Sequence, residues 1–257
     1  MGILNATPDS FYSESRVNNL DIALAKAAQM INQGASILDI GGYSSRPGAD
    51  EVSEKEEIER TADLIAAIKK EHPEILISID TFRSRVAEEA VKKGADLIND
   101  ISGGQMDARI FEVAAKHSCP YILMHMRGTP ANMMKHTNYD HLINEIVHYF
   151  SAQIRKAQLA GVKDIIIDPG FGFSKTLEQN FELLNQLELL GFIGKPILAG
   201  VSRKSMIYKT LNTSPEESLN GTTALNMVAL EKGAMILRVH DVKAAFETIV
   251  LHQKLIS

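Results

Sequence analysis

The sequence has one cysteine and no tryptophan, and aromatic residues make up 6% of its 257 positions. A single cysteine excludes an internal disulfide framework, and the apolar neighbours of Cys119 favour a small buried side chain over a reactive thiol. No apolar run approaches the ~20 residues that a membrane-spanning helix needs. The N-terminus lacks a basic region followed by a hydrophobic stretch, so no signal peptide is visible. These absences predict a cytoplasmic protein with no membrane partner.

The sequence has no excess of basic residues either. Lysine and arginine number 27 against 32 aspartates and glutamates, which gives a formal net charge of −5. This balance argues against nucleic acid as a partner, because binding to a phosphate backbone usually needs a basic field. A small anionic substrate needs only a local cluster of cations. Hydrophobic residues, at 45%, suffice for a large core, and the lack of linkers predicts one domain over residues 1–257.

Short apolar segments alternate with amphipathic ones along the chain. The apolar segments are rich in β-branched residues or leucine and are bounded by glycine, proline or charge, which predicts strands. The predicted strands are Met1–Asn5, Ser36–Ile40, Ile75–Thr81, Leu97–Ile101, Tyr121–Met126, Asp164–Asp168, Ile197–Ser202 and Met235–His240. The segments between them have helical apolar spacing, and Ser53 with Glu56 forms a Ser-x-x-Glu capping box. The predicted helices, most of them followed by a glycine, are Asp21–Gln33, Ser53–Lys70, Arg83–Lys93, Asp140–Ala160, Glu178–Leu190 and Pro215–Lys232.

Regular alternation of strand and helix predicts a parallel sheet with right-handed crossovers. An open, doubly wound sheet would need a switch point and usually a glycine-rich phosphate turn after its first strand. The segment Ala6–Phe11, which follows the first predicted strand, contains no glycine. We therefore predict the α/β class and, within it, an eightfold β/α (TIM) barrel as a single domain.

Nearly every predicted strand ends on a polar or charged residue. Strands buried in a parallel sheet are normally apolar throughout, so these residues require an explanation. The active site of an eightfold barrel lies at the carboxyl ends of its strands, which provides one. The residues concerned are Asn5, Asp39, Asp80, Asn99, Asp100, His125, Asp168, Ser202, Lys204, Arg238 and His240.

The last two predicted strands end in cations. Arg238 and His240 are two residues apart, so on a strand they would share a face and could clamp an anion. The alternative is a surface ion pair with Asp241. Ser202 and Lys204 have the same spacing, and Lys204 is interpreted as a donor directed at a ligand.

Three carboxylates and one amide end interior strands, at Asp39, Asp80, Asn99 and Asp168. A buried and unpaired carboxylate is strongly disfavoured, so each needs a donor from a neighbouring base or from a ligand. Adjacent N–H groups on a guanine-type or pterin-type ring would suit such a carboxylate. The alternative is a structural cap, which applies best to Asp39 because two glycines follow soon after it. His125 is interpreted as a structural histidine rather than a base.

Eight stretches carry a family resemblance over essentially the whole chain: residues 1–11, Asp39–Gly42 with Ser45–Gly48, Ser78–Thr81, Ile98–Asp100, Leu123–Met126, Asp168–Phe173, Ser202–Ser205 and Arg238–Asp241. They follow the order of the dihydropteroate synthase family, which the chain resembles. The resemblance implies an eightfold barrel in folate biosynthesis, usually a homodimer. It also implies condensation of 6-hydroxymethyl-7,8-dihydropterin diphosphate with 4-aminobenzoate, giving 7,8-dihydropteroate and pyrophosphate.

The family pattern further implies roles for individual residues. Those expected to grip the pterin are Asp80, Asn99, Asp168 and Lys204. Asn5 would help to hold Mg²⁺, and the diphosphate would meet Ser45, Arg238 and His240. Residues expected near the aminobenzoate are Arg46, Phe173, Gly200 and Ser202. The catalytic set is Asp80, Asp168, Lys204, Arg238 and His240. Met124, Met126, Met133 and Met134 are interpreted as core filler, although a methionine could also lie under a flat ring.

Other functions stay open at this stage. A pterin-binding methyltransferase-type domain would share the barrel and the carboxylate grip but would handle no diphosphate. A Schiff-base aldolase could use Lys204. A catalytically silent pterin-binding paralogue is left open by two departures from the family pattern, Tyr43 in place of a glutamate and Ser13–Ser15 in place of Asp-Gly-Gly.

Overall fold

The computed structural model describes residues 1–6, 16–43 and 52–257. Within these ranges eight parallel strands form one sheet, in which neighbours in sequence are neighbours in space. The strands are β1 (Gly2–Asn5), β2 (Ile37–Gly41), β3 (Leu76–Asp80), β4 (Leu97–Asp100), β5 (Tyr121–Met124), β6 (Ile165–Asp168), β7 (Ile197–Ala199) and β8 (Ala234–Leu237). After β8, Val239 bridges to Gly2, and its carbonyl accepts the Ile3 N–H at 3.0 Å. The sheet therefore closes into the eightfold barrel that the sequence predicts.

Helices connect the strands and cover the outside of the barrel. They are α1 (Arg16–Asn32), α2 (Glu54–Glu71), α3 (Ser84–Lys92), α4 (Arg109–His117), α5 (Leu142–Leu159), α6 (Leu177–Asn185), α7 (Ser205–Tyr208), α8 (Leu219–Glu231) and α9 (Val242–Ile256). The Ser53 hydroxyl caps α2 by accepting the Glu56 N–H at 3.2 Å, which confirms half of the predicted capping box. The Glu56 carboxylate accepts instead from Arg60 Nη2. In the described ranges, no helix is both long enough and apolar enough to cross a membrane.

The helix predictions were incomplete in two ways. Sequence reasoning assigned no helix to the regions of α4, α7 and α9. The helix predicted to run to Leu190 ends at Asn185, and a 3₁₀ helix follows over Leu187–Ile193. Leu187 and Leu190 are both fully buried, and their spacing of three residues matches the 3₁₀ period. The left-handed residue that ends this segment is Gly194, not Gly191.

The last two strands are shorter than predicted. The strand expected to run to Ser202 ends at Ala199, and beyond it the chain turns, with Arg203 in the left-handed region at φ 55°. Ser202 and Lys204 are therefore not alternate residues of a strand, and the expected shared face is wrong for them. The strand expected to run to His240 ends at Leu237, with the single bridge at Val239 beyond it.

Candidate active site

The carboxyl ends of four strands bring predicted residues together. Asp80 ends β3, and it is the register partner of Asn99, which lies one residue before the end of β4. Met124 and Asp168 are register partners in the same way at the ends of β5 and β6. Asn99, Met124 and Asp168 are buried, whereas Asp80 is partly exposed. These four residues define one side of the barrel mouth, and we call them, together with Arg238, which donates to Asp80, the rim.

Arg238 joins the rim carboxylate of Asp80 to the carboxylate of Asp39, which lies deeper in the barrel. Its Nε atom donates to Asp39 Oδ2 and its Nη2 atom donates to Asp80 Oδ2, both at 2.6 Å. The same Asp39 oxygen accepts a hydrogen bond from Asn99 Nδ2 at 3.1 Å. The interpretation of Asp39 as a local cap is therefore wrong, because its hydrogen-bond partners are side chains from β4 and from the segment after β8.

Asp241 is not the partner of Arg238. It pairs with Arg203, whose Nη2 atom lies 2.6 Å from Asp241 Oδ1 and whose Nε atom donates to Oδ2 at 2.9 Å. This bidentate pair explains why the surface ion pair considered for Arg238 does not form. The guanidinium of Arg238 is instead directed into the barrel mouth.

Burial shifts the pKa values of the rim. Desolvation raises the pKa of Asp80 to about 7, with Arg238 opposing the shift and Asp39 adding to it. Burial also raises the pKa of Asp168, against the opposing charge of Lys204. Burial lowers the pKa of the Arg238 guanidinium, but the carboxylates of Asp39 and Asp80 outweigh it, so the pKa is raised. A ligand that donates hydrogen bonds to these two carboxylates would lower their pKa values and so favour their ionised forms.

Lys204 lies against the loop that follows β6. Its Nζ atom donates to the carbonyl of Phe171 and stands 4.9 Å from the centroid of the Phe173 ring. Gly200 is adjacent, since a Cβ atom built on it would be 3.8 Å from Lys204 Nζ. Burial lowers the pKa of Lys204 to about 8, with Asp168 acting in the opposite direction. The structure thus brings Lys204, Phe173 and Gly200 together, as predicted.

Ser202 and His240 form a hydrogen-bonded pair beside this group. The Ser202 hydroxyl oxygen accepts the His240 backbone N–H at 3.2 Å and lies 3.0 Å from His240 Nδ1. The Ser202 hydroxyl can donate to Nδ1 when the ring proton is on Nε2, or accept from Nδ1–H when the proton is on Nδ1. The two residues are close in space, although Ser202 does not share a strand face with Lys204.

Lys175 is a functional candidate that sequence reasoning missed. It is 2% exposed, and its Nζ atom lies 3.0 Å from His125 Nδ1 and donates at 3.1 Å to the carbonyls of both Gly170 and Phe173. Burial lowers its pKa to about 7 and lowers the pKa of His125 well below its usual value. His125 is thus a buried structural histidine, as predicted. A single lysine in a predicted loop does not by itself indicate a functional residue, because most such lysines are exposed to solvent.

Replacing Lys175 with methionine should change how stability depends on pH. The folded-state pKa lies below the unfolded value of 10.5, so between about pH 7 and pH 10 the unfolded chain holds a proton that the folded chain has released. The unfolding free energy of the unaltered protein should therefore rise with pH relative to Lys175→Met, by at most about 1.4 kcal/mol per unit. Urea unfolding of both proteins at pH 6, 7.5 and 9 measures this difference. Parallel pH dependences would contradict it.

An apolar cluster lies beside the acids of the rim. Its buried members are Phe82, Ile101, Met124, Met126 and Met133, with Tyr43 and Phe173 packed against it. The interpretation of the methionines as core filler holds for these three but is wrong for Met134, which is 56% exposed. Tyr43 packs edge-on against Phe82 with ring centroids 5.3 Å apart. Tyr43, which stands where the family pattern has a glutamate, therefore adds an aromatic ring to this cluster.

Some predicted residues cannot be placed in this way. Ser45, Arg46 and the departure at Ser13–Ser15 lie outside the described residues. Asn5 ends β1, where it is half-buried and is the register partner of Gly41 in β2. It therefore lies at the carboxyl ends of the strands with the other candidates.

Comparisons with known proteins agree with this geometry. The family model of the pterin binding enzymes matches residues 1–240. The dihydropteroate synthase of Synechocystis sp. is 51% identical over 95% of this chain and 85% of its own length. That of Bacillus subtilis is 45% identical over 95% of this chain and 83% of its own length.

Solved structures give the same result. A Clostridium difficile dihydropteroate synthase, crystallised in the presence of pteroic acid, superposes with a TM-score of 0.94 at 41% identity, covering 99% of this chain and 95% of that one. A Yersinia pestis dihydropteroate synthase in complex with a sulfonamide drug gives a TM-score of 0.93 at 42% identity, covering 99% and 93%.

Proposed function

Because the chain belongs to the pterin binding enzyme family, and within it to the dihydropteroate synthases, we propose that its rim residues bind and activate a pterin diphosphate. The protein is a transferase of folate biosynthesis that condenses 6-hydroxymethyl-7,8-dihydropterin diphosphate with 4-aminobenzoate, giving 7,8-dihydropteroate and pyrophosphate. One observation carries the residue assignment: acids and cations from distant strands meet at a single side of the barrel mouth.

Asp80, Asn99 and Asp168 hold the pterin ring. When ionised, the two carboxylates can only accept hydrogen bonds, and adjacent ring N–H groups supply the donors that a buried carboxylate needs. Lys204 adds a donor from the opposite side, and Met124 lies under the ring. Burial of these groups excludes water and so strengthens each hydrogen bond.

Arg238, His240 and Ser45 contact the diphosphate. As the bond between the methylene carbon and the diphosphate oxygen breaks, pyrophosphate leaves with the electron pair. The amine nitrogen of 4-aminobenzoate then bonds to that carbon and loses a proton. The cations stabilise the departing charge, while Asp80 and Asp168 stabilise positive charge on the pterin. This is a dissociative displacement without a covalent enzyme intermediate.

Phe173, Gly200, Ser202 and Arg46 contact the aminobenzoate. The Phe173 ring lies beside Lys204, at the point where the rim meets the loop after β6. A flat aromatic amine placed there would have its nitrogen directed towards the pterin methylene group.

Asn5 helps to hold Mg²⁺. Within the described ranges no group of three or more histidine, cysteine or acidic side chains could hold a metal by itself. A single amide oxygen fits Mg²⁺, which commonly keeps several waters and takes only one or two protein oxygens together with substrate phosphates. When bound, the ion neutralises charge on the diphosphate.

The direct test is pyrophosphate release measured with the purified protein. We expect release only when pterin diphosphate, 4-aminobenzoate and Mg²⁺ are all present, with equimolar dihydropteroate formed. Omitting any one component is the control. Binding of the pterin without turnover would instead indicate a silent pterin-binding paralogue, and methyl transfer without pyrophosphate would indicate a methyltransferase-type domain.

The protein acts on these small molecules in the cytoplasm, without nucleic acid, as a homodimer. The single cysteine supports the location in the cytoplasm, and the net charge of −5 supports the lack of a nucleic-acid partner. For the dimer, α9 exposes apolar side chains after its first turn, namely Phe246, Val250, Leu251, Leu255 and Ile256. Apolar surface of this kind commonly marks a protein interface.

Placing a charge on α9 should separate the subunits. Val250 is 40% exposed, so Val250→Glu would put a carboxylate in a dry interface, where it is strongly disfavoured. Sedimentation at micromolar concentration should show a dimer for the unaltered protein and a monomer for the variant. Leu159→Glu, at an exposed site on α5, should remain dimeric. A monomeric unaltered protein would contradict the proposal.

A further inference from the structure

Asp39 lies one layer below the rim, inside the barrel. In the parallel register it pairs with Ser78, whereas Gly41, two residues further along β2, pairs with Asp80. Asp39 is fully buried, and its Oδ1 atom has no hydrogen-bond partner among the described residues. A buried carboxylate is tolerated only when it is paired and hydrogen-bonded. Its stabilisation therefore comes through Oδ2.

The two groups that bind Oδ2 both belong to rim residues. Arg238 donates from Nε at 2.6 Å, and Asn99 donates from Nδ2 at 3.1 Å. We propose that Asp39, which does not touch the substrate, is a positioning residue that fixes the donor and acceptor pattern of the pterin pocket. This rests on the proposed function of the rim.

The first consequence concerns Asn99. An ionised carboxylate can only accept hydrogen bonds, so the side of the Asn99 amide that faces Asp39 must be the NH₂ group. The amide oxygen is then turned away from Asp39. Together with the carboxylates of Asp80 and Asp168, it gives the pocket a set of acceptors. Such a pocket favours a ring edge that carries N–H groups over one that carries only lone pairs.

The second consequence concerns Arg238. Its guanidinium group is held by two hydrogen bonds, from Nε to Asp39 and from Nη2 to Asp80. A ligand whose N–H groups donate hydrogen bonds to Asp80 would compete with Arg238 for that carboxylate. The bond to Asp39 lies one layer deeper and keeps the guanidinium in place while Asp80 changes partner. Asp39 thus holds the cation that faces the diphosphate.

An exchange of the two side chains tests the proposal. We would compare Asp39→Asn, Asn99→Asp and the double variant, and measure their affinity for 6-hydroxymethylpterin by titration calorimetry. In Asp39→Asn the Asn99 amide can rotate and Arg238 loses a charged partner, so binding should weaken about tenfold or more. In Asn99→Asp two carboxylates face each other, so binding of the pterin should weaken by a similar factor. The double variant keeps the charge and restores one N–H to carboxylate bond, so it should recover about tenfold over the weaker single variant.

Ser78→Ala is the matched control, because Ser78 occupies the same layer and its hydroxyl has no partner among the described residues. It should bind the pterin as the unaltered protein does. Wild-type affinity in Asp39→Asn, a double variant no better than the singles, or binding losses that only follow the unfolded fraction would overturn the proposal. If the unaltered protein fails to bind 6-hydroxymethylpterin, the proposed function itself falls and the role of Asp39 falls with it.

Discussion

Exchanging Lys204 for methionine is expected to lower kcat/KM for the pterin diphosphate by about 10²–10³-fold. The methionine retains the length and apolar stem of lysine but removes the Nζ group that donates to the Phe171 carbonyl and whose charge acts on Asp168. The pKa of Lys204 is about 8, so most of the side chain is protonated at pH 7 and its charge is lost in the variant. Steady-state pyrophosphate release measures the effect.

Lys209→Met provides the control for this variant. Lys209 follows α7, a few residues from Lys204, and is exposed to solvent. It should keep the activity of the unaltered protein. Near-normal kcat/KM in Lys204→Met, with the protein folded, would remove Lys204 from the site. Trapping of Lys204 by borohydride with a carbonyl substrate would support the aldolase alternative instead.

The second large effect is expected at Asp80. The pKa of this carboxyl is about 7, so below neutral pH it is mostly protonated and no longer accepts two hydrogen bonds from the pterin. The kcat/KM of the unaltered protein should therefore fall as the pH is lowered through 7, because this parameter reports ionisations of the free enzyme. Asp80→Asn keeps the shape of the side chain but removes its charge. This should lower kcat/KM about 10²-fold at pH 8 and remove the fall of kcat/KM below pH 7.

Asp164→Asn is the comparison for Asp80. Asp164 immediately precedes β6 and is exposed at the opposite end of the barrel, so its loss should leave both kcat/KM and its pH profile unchanged. A flat profile between pH 6 and pH 8 in the unaltered protein would contradict the role of the Asp80 charge. An Asp80→Asn variant whose kcat/KM still fell as the pH was lowered through 7 would contradict it as well.

The barrel itself could be predicted because it depends on local patterns. Apolar segments typical of strands alternate along the sequence with segments of helical apolar spacing. Parallel strands then place all their carboxyl ends at the same end of the barrel. Asp80, Asn99 and Asp168 were therefore predictable as neighbours, since each stands at the end of a buried run. In the sheet, Asp80 and Asn99 are register partners, and Asp168 is the register partner of Met124.

The pairing of charges at the rim could not be predicted in the same way. The sequence places Asp241 three residues after Arg238, yet Asp241 binds Arg203 and Arg238 binds Asp39. That choice depends on where the chain turns after β7, with Arg203 in a left-handed conformation. Lys175 escaped notice for a related reason, because its burial arises from the folding of the loop after β6 around it. No spacing in the sequence encodes either feature.

The link between Arg238 and Asp39 has a consequence for synthesis on the ribosome. The two residues are 199 positions apart, and Arg238 is 158 positions from Asp80, so both acids leave the exit tunnel long before their cation does. A partial barrel that enclosed them early would contain uncompensated negative charge, which is strongly disfavoured. The nascent chain thus gains its charge balance only with the segment that also completes the cylinder through Val239, and contacts of such long range are typical of slow folding.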